Sequence, residues 1–301
     1  MDIVGTRPQR TLSRSTAIRG RGLISGQAVC LRFHPAPPDT GIVFQRVDLP
    51  GAPAIPAHVS AAVGTHRRTT IGSLSHSVTV VEHVLAALAA LRIDNCYLEL
   101  DGPEPPGLDG SAAEYVRLLV GAGSVVQPRS RRIWSVAQPL TLRREGATLT
   151  FHPSPPGRRE LRLTYVLDYG PFAPIVPQRF SLHLSPATFM QEVAACRTFL
   201  TIAEAQQLRE QGIGTHLRAA DILVFGPQGP LDNRLRYADE PARHKILDLI
   251  GDLALLGEDL AGHIVAYRSG HTLNVELARR LWQGLGNGSR AQSASVRLRA
   301  A

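Results

Sequence analysis

Residues 241–257 read PARHKILDLIGDLALLG, and the fold turns on how this stretch is read. As a helix at ~100° per residue, it places His244, Asp248 and Asp252 at roughly 0°, 40° and 80°, with Lys245 beside them. Ile246, Leu247, Leu249, Ile250 and Leu253 cover the opposite side. A solvated face would carry Glu, Gln and Lys, which are good helix formers, whereas Asp is a poor one in a helix interior. A His and two Asp in one stripe therefore point to chemistry. The stripe also holds the chain's single lysine, since every basic residue other than Lys245 is Arg. In a chain that writes its cations as Arg, a compact ammonium here marks a functional position. The competing explanation is that one leftover lysine must sit somewhere.

Outward from this helix, the second half reads as strands followed by helix, strand and helix. PLTLRREGATLTFHP predicts a hairpin turning at Glu145-Gly146, and ELRLTYVLDY predicts a further strand. A helix with Ser185 as N-cap and Pro186 at its first position follows FSLHL. After the central helix come the strand HIVAYRS and the helix TLNVELARRLWQGL. The first half has the same plan: AVCLRFHP and GIVFQRVDL as strands, VEHVLAALAALRI as a helix, NCYLELDG as a strand and SAAEYVRLLVGAG as a helix starting at Ser111. The expected fold class is α+β, in two similar domains: residues 1–124 and 137–286, joined by a linker over 125–136, with a disordered tail over 287–301.

The 301 residues are 44% hydrophobic and 19% charged, enough apolar material for a sizeable core. No apolar run approaches the ~20 residues of a membrane span, and the N-terminal stretch lacks the apolar segment of a signal peptide. Cys30, Cys96 and Cys196 are widely separated with no CxxC pair, which predicts reduced thiols and a cytoplasmic location. A net charge of +8 raises the question of nucleic acid. With aromatics at 5% and no helix-turn-helix, finger or RNP pattern, nucleic-acid binding is not expected. The basic balance suits an anionic small substrate or a peripheral contact with an anionic membrane face.

His and Asp at i, i+4 project the same way from a helix and suit two ligands of one divalent metal. A hydrolytic zinc site needs three protein ligands and an open position, and two His with one carboxylate is a familiar set. Eight of the eleven histidines, His34, His58, His66, His76, His152, His183, His216 and His263, have no neighbouring acid and are expected to be structural or superficial. His83 differs, because it follows Glu82 at the start of an apolar helix. The pair suits a metal ligand beside a general base, or equally a first-turn Glu beside a structural His. In YRSGHTLN (267–274), Gly270 permits a sharp turn and sets His271 at a strand-to-helix junction. Asp252, left over once Asp248 is on the metal, suits the acid that orients a catalytic His.

Taken together, VEHVLAALAALRIDNCYLEL, LDGSAAEYV, RTF at 197–199, RHKILDLIGDL and SGHTLN resemble the zinc-dependent UDP-3-O-acyl-N-acetylglucosamine deacetylases of lipid A biosynthesis. The resemblance runs in order from about Arg10 to Leu285. It implies two domains that are each a β-sheet covered by helices, with the active site at their interface. It implies His83, His244 and Asp248 as ligands of Zn²⁺, a set that Fe²⁺ would also accept, and Glu82 as the general base. His271 corresponds to the catalytic histidine with Asp252 as its partner, Thr198 to a hydroxyl near the oxyanion, and Lys245 and Phe199 to substrate contacts. The implied substrate is a UDP-sugar lipid precursor, and the implied state a monomer.

The sequence departs from that pattern at GLISG (22–26), where the family has GLHTG, and at Thr79-Val80, where it has Ser-Thr. Further departures are GIGTHLRAAD (212–221), which replaces a glycine-serine stretch, and Arg268, where the family has Lys. Two alternatives remain: a paralogous zinc amidohydrolase acting on another N-acyl sugar, and a non-enzymatic binding protein on the same scaffold.

Overall fold

The N-terminal half runs β1 (Asp2–Leu12), β2 (Thr16–Arg21), β3 (Ala28–Pro35), β4 (Ile42–Arg46) and β5 (Ile55–Pro56). It continues through a small meander, β6 (Ala62–Gly64), β7 (Thr70–Gly72) and β8 (Ser77–Thr79), to α1 (Glu82–Ala90), β9 (Cys96–Leu100) and α2 (Ala113–Ala122). Strand β10 (Ser124–Ser135) leads into β11 (Leu140–Arg144), β12 (Ala147–His152), β13 (Leu161–Leu167), β14 (Gln178–His183) and α3 (Pro186–Glu192). Then come β15 (Phe199–Thr201), α4 (Ile202–Glu210), β16 (Leu223–Gly226), β17 (Gly229–Pro230), α5 (Glu240–Ala254), β18 (Asp259–Leu260), β19 (Gly262–Tyr267) and α6 (His271–Arg297). The chain is seen here as a computed structural model that describes residues 1–218 and 221–297, with side chains through Leu285.

The two halves share one topology. The first sheet has the order β2-β3-β9-β4-β5 and the second β11-β12-β19-β13-β14. In each, the strand that follows the central helix inserts between two earlier strands. β9 pairs antiparallel with β3 and parallel with β4, while β19 pairs antiparallel with β12 and parallel with β13. Alternation explains which face is buried: Ile264 and Ala266 of β19 are in the core, and His263, Val265 and Tyr267 point outward. The α+β expectation with two similar halves agrees with this arrangement. The hairpin turns where expected, with Glu145 (φ 50°) and Gly146 (φ 79°) both left-handed, as a two-residue turn requires. Ser185 and Thr188 form the capping box of α3. In the other half, α2 starts one residue later than a Ser111 cap would give, with Ala112 as N-cap.

Helices α1 and α5 pack on each other between the sheets, α2 lies against β2, α5 against β13 and α6 against β11 and β12. One continuous apolar core runs through both halves. Helix α5 is buried on nearly every side, its polar stripe included, because α1 covers that stripe. Residues 125–136, expected as a linker, belong almost entirely to β10, which pairs antiparallel with β1 and parallel with β18. The arginines of this stretch are held by distant acids: Arg131 bonds Asp259 and lies against Asp94, and Arg132 pairs with Glu258. Helix α6 continues to Arg297, so the tail expected from residue 287 lies on this helix up to there, and 298–301 fall outside the described residues.

Candidate active site

The chain enters α1 through Val80, buried and held at φ 57°. A β-branched residue in the left-handed region is strained, at a cost of about 1–3 kcal/mol. Arg268, at φ 54°, stands three residues before the start of α6, as Val80 stands two before that of α1. Both of these entries deliver catalytic candidates. Glu82 and His83 open α1 and are only 3% and 6% exposed, so Glu82 is not a solvated capping residue. Its Oε2 accepts the Thr69 amide at 3.1 Å. Helix α5 reaches this first turn because Gly251 has no side chain: a Cβ there would stand 2.0 Å from the Glu82 carbonyl oxygen.

Across that contact, His83, His244 and Asp248 converge, each offering one ligand atom, all within 4.8 Å of one another. Asp248 Oδ1 lies 3.3 Å from His244 Nε2 and 3.6 Å from His83 Nε2. Ligands at about 2.0–2.2 Å from a tetrahedral ion are separated by roughly 3.4 Å, so the spacing fits a divalent metal. His244 Nδ1 donates to the Cys196 carbonyl at 3.0 Å, which leaves the Nε2 lone pair facing the centre. As neutral imidazoles, these rings aim acceptor atoms at a carboxylate oxygen, an arrangement that calls for a cation between them. The second Asp248 oxygen accepts Lys245 Nζ at 2.8 Å. Burial alone would raise the Asp248 pKa, but with no metal bound a protonated His244, together with Lys245, outweighs it and holds the carboxyl well below the usual range.

His271 opens α6 with its ring in the same cleft. Its Nδ1 lies 2.9 Å from Asp252 Oδ2, and its Nε2 lies 3.9 Å from Glu82 Oε1. Burial pulls the imidazole pKa down, yet the carboxylates of Asp252 and Glu82 reverse this and lift it to about 9. Burial pushes the Glu82 carboxyl up, against the pull of His271 and His83. A protonated imidazole and a carboxyl of raised pKa, side by side, form an acid–base pair poised near neutral pH. Two further residues complete the pair. Thr69 Oγ1 donates to Asp252 Oδ1 at 2.5 Å, and Asn274 Nδ2 to Asp252 Oδ2 at 2.9 Å. Neither was singled out from the sequence. Asn274 was within reach, three positions after His271 on one helical face, whereas Thr69 lies 183 residues from Asp252.

Thr198, Phe199 and Lys245 line the same cleft, of about 290 Å³, together with Glu82, His83, Asp248 and His271. Phe199 also stands edge-on to His244, with ring centroids 6.1 Å apart, and carries Lys245 Nζ 5.6 Å from its own centroid. His66, Arg67 and Arg68 add basic groups to the lining. Two of the stretches that depart from the family pattern meet here: His216 Nε2 lies 3.0 Å from the Gly22 carbonyl, and Glu104 accepts the amides of Ile24 and Ser25.

The chain matches the family model described as LpxC, UDP-3-O-acyl N-acetylglycosamine deacetylase, over residues 9–283. A UDP-3-O-acyl-N-acetylglucosamine deacetylase of Thermosynechococcus vestitus is 42% identical over 275 residues, 91% of this chain and 94% of that protein. Proteins of the same description from Citrifermentans bemidjiense and Bdellovibrio bacteriovorus are each 38% identical, over 91% of this chain and 88% and 89% of theirs.

Proposed function

Since the chain belongs to the LpxC family of UDP-3-O-acyl N-acetylglycosamine deacetylases, we propose that it hydrolyses the acetamide of UDP-3-O-acyl-N-acetylglucosamine. The products are acetate and the free amine, in lipid A biosynthesis. His83, His244 and Asp248 hold one divalent ion, Zn²⁺ by preference of the donor set, with Fe²⁺ compatible. When bound, such an ion supplies a Lewis acid that polarises the amide carbonyl and acidifies water.

Glu82 takes the proton of the attacking water at its buried carboxylate, held in place by the Thr69 amide. The oxyanion that develops on the amide carbonyl meets the Thr198 hydroxyl and the cationic His271 ring. His271 Nε2 then gives its proton to the departing nitrogen, while Asp252 at Nδ1 keeps the ring oriented and charged. Lys245 and Phe199 contact substrate at the cleft wall, and His66, Arg67 and Arg68 suit its diphosphate. No helix among the described residues is long and apolar enough to cross a membrane. The family's substrate is a small-molecule UDP-sugar lipid, which on this reading the chain meets in solution or at a membrane surface that it touches peripherally.

The observation that carries this proposal is the assembly, around one cleft, of three metal donors with two acid–base groups from opposite halves of the chain. The test measures metal content and deacetylation for wild type and Asp248→Ala. One metal per chain with turnover, both lost in the variant, is the expected result; turnover in metal-free wild type overturns it. The paralogue reading gains only if the enzyme prefers a non-acylated UDP-sugar.

A further inference from the structure

A second cavity, larger than the catalytic cleft, lies elsewhere in the molecule. A space of about 730 Å³ opens where the two halves meet, and none of the residues that line it also lines the cleft. Its floor is Leu85, Leu88 and Ala89 on α1 with Ile250 and Leu253 on α5. These are the two helices that present Glu82, His83, His244 and Asp248 to the cleft, here showing different, apolar faces. Leu161 and Leu184 from the C-terminal half also line it.

The charges around this cavity fall into two groups. Arg7 and Arg131 are neutralised, because Asp94 and Asp259 bond both. Arg92, Arg158 and Arg159 are exposed and, among the described residues, have no carboxylate within ion-pair distance. Arg159 is docked rather than loose, since its side chain lies over Gly5, where a Cβ would stand 2.7 Å from its Cδ. Against these three guanidinium groups the rim offers Glu160, which is exposed, and Glu258, which Arg132 holds at 2.8 Å.

An apolar floor with a net cationic rim selects a ligand with two parts. A neutral lipid would leave the guanidinium groups unanswered, and a nucleotide or free phosphate would leave the floor facing water. We propose that this cavity is a second ligand site, for a single-chain anionic amphiphile: a fatty carboxylate whose tail lies on the α1–α5 floor and whose head meets Arg92, Arg158 and Arg159. The cavity is within the ~300–1,000 Å³ of small-molecule sites. A tail seated there touches both helices that carry the metal donors, so the site is placed to sense acyl chains without competing for the cleft.

The test uses the full-length, metal-loaded protein and laurate below its micelle concentration, followed by calorimetry in the presence and absence of the deacetylation product. Ala89→Trp fills the floor, and the double variant Arg158→Glu, Arg159→Glu reverses the rim. Each is expected to weaken laurate binding about tenfold or more while leaving turnover unchanged, and the product is not expected to displace laurate. Dodecanol, with the same tail and no charge, is expected to bind at least about tenfold more weakly. If Ala89→Trp fails to fold, the exposed arginine pair decides alone. Absence of laurate binding, binding that survives both variants, or displacement by product overturns the proposal, the last by placing the tail in the catalytic cleft. Loss of binding in Ala89→Trp alone, with dodecanol as good as laurate, overturns the anionic head.

Discussion

Replacing Asp252 by Asn tests the proposed acid–base pair most directly. Asp252 is fully buried and bonds His271 Nδ1 at 2.9 Å, and the imidazole it faces has a pKa lifted to about 9. Two unit charges ~4 Å apart interact by ~4 kcal/mol at an effective dielectric of ~20, or ~3 pKa units. Opposite charges at such distances shift pKa values by 1–3 units in proteins, so ~2 is a working figure. The neutral amide keeps the shape and removes the charge, which should bring His271 down from about 9 to roughly 7.

The sign follows from the role. In the proposed mechanism His271 acts in its protonated form, so activity is lost as pH rises through its pKa, and lowering that pKa moves the loss to lower pH. At pH 8 a group of pKa ~9 is about 90% protonated and one of pKa ~7 about 10%, so the variant should lose roughly tenfold at pH 8 beyond its loss at pH 6. The assay is kcat/KM against pH for the metal-loaded wild type and variant. An alkaline limb that stays near its wild-type position, with activity lowered equally at every pH, would refute His271 as the acid whose charge Asp252 maintains.

Gly251→Ala puts a Cβ 2.0 Å from the Glu82 carbonyl oxygen. It should cost about 1–3 kcal/mol in denaturant unfolding and, by pushing α1 off α5, lower kcat tenfold or more; an unchanged midpoint and kcat would show that the helices separate freely. Thr69→Val keeps the amide to Glu82 but deletes the hydroxyl bond to Asp252, so stability should fall by about 1.5–3 kcal/mol, read from thermal unfolding with kinetics. A fall in kcat at near-constant KM is expected, and a change confined to KM would count against a positioning role. Arg197 is buried and holds Glu240 through Nε (2.9 Å) and Nη2 (3.1 Å). Arg197→Met leaves that buried carboxylate with backbone amides only, those of residue 197 and Arg236, and without its countercharge the protein should lose about 3–5 kcal/mol by calorimetry. Because Arg197 follows Cys196, whose carbonyl fixes the His244 tautomer, weaker metal binding should accompany the loss.

What the sequence disclosed and what it hid divide along a physical line. Local periodicity was enough for the stripe on α5, the hairpin at Glu145-Gly146 and the Ser185 cap, because each is decided within one or two turns of chain. The strand β10 was misread because its arginines find their partners far along the chain, Arg129 at Asp39, Arg131 at Asp94 and Asp259, and Arg132 at Glu258, and no local pattern announces a strand whose charges are met from so far away. Thr69 was silent for the same reason. Gly251 could have been found: glycine inside a helix costs about 1 kcal/mol relative to alanine, so its place in an otherwise strong α5 asks what comes too close for a methyl group.

That close approach also explains why one site needs both halves. Equivalent helices of the two repeats meet where Gly251 touches the backbone of Glu82. Three positions before the contact Asp248 faces the metal donors, and one position after it Asp252 faces His271. Glu82, at the contact itself, lies between the two groups, next to His83 in sequence and 3.9 Å from the His271 ring. Neither helix alone brings a base, three donors and the carboxylate that orients the His271 ring to one point. Their crossing does, and strain at Val80 and Arg268 is tolerated because the chain must turn abruptly there to deliver Glu82 and His271 to it.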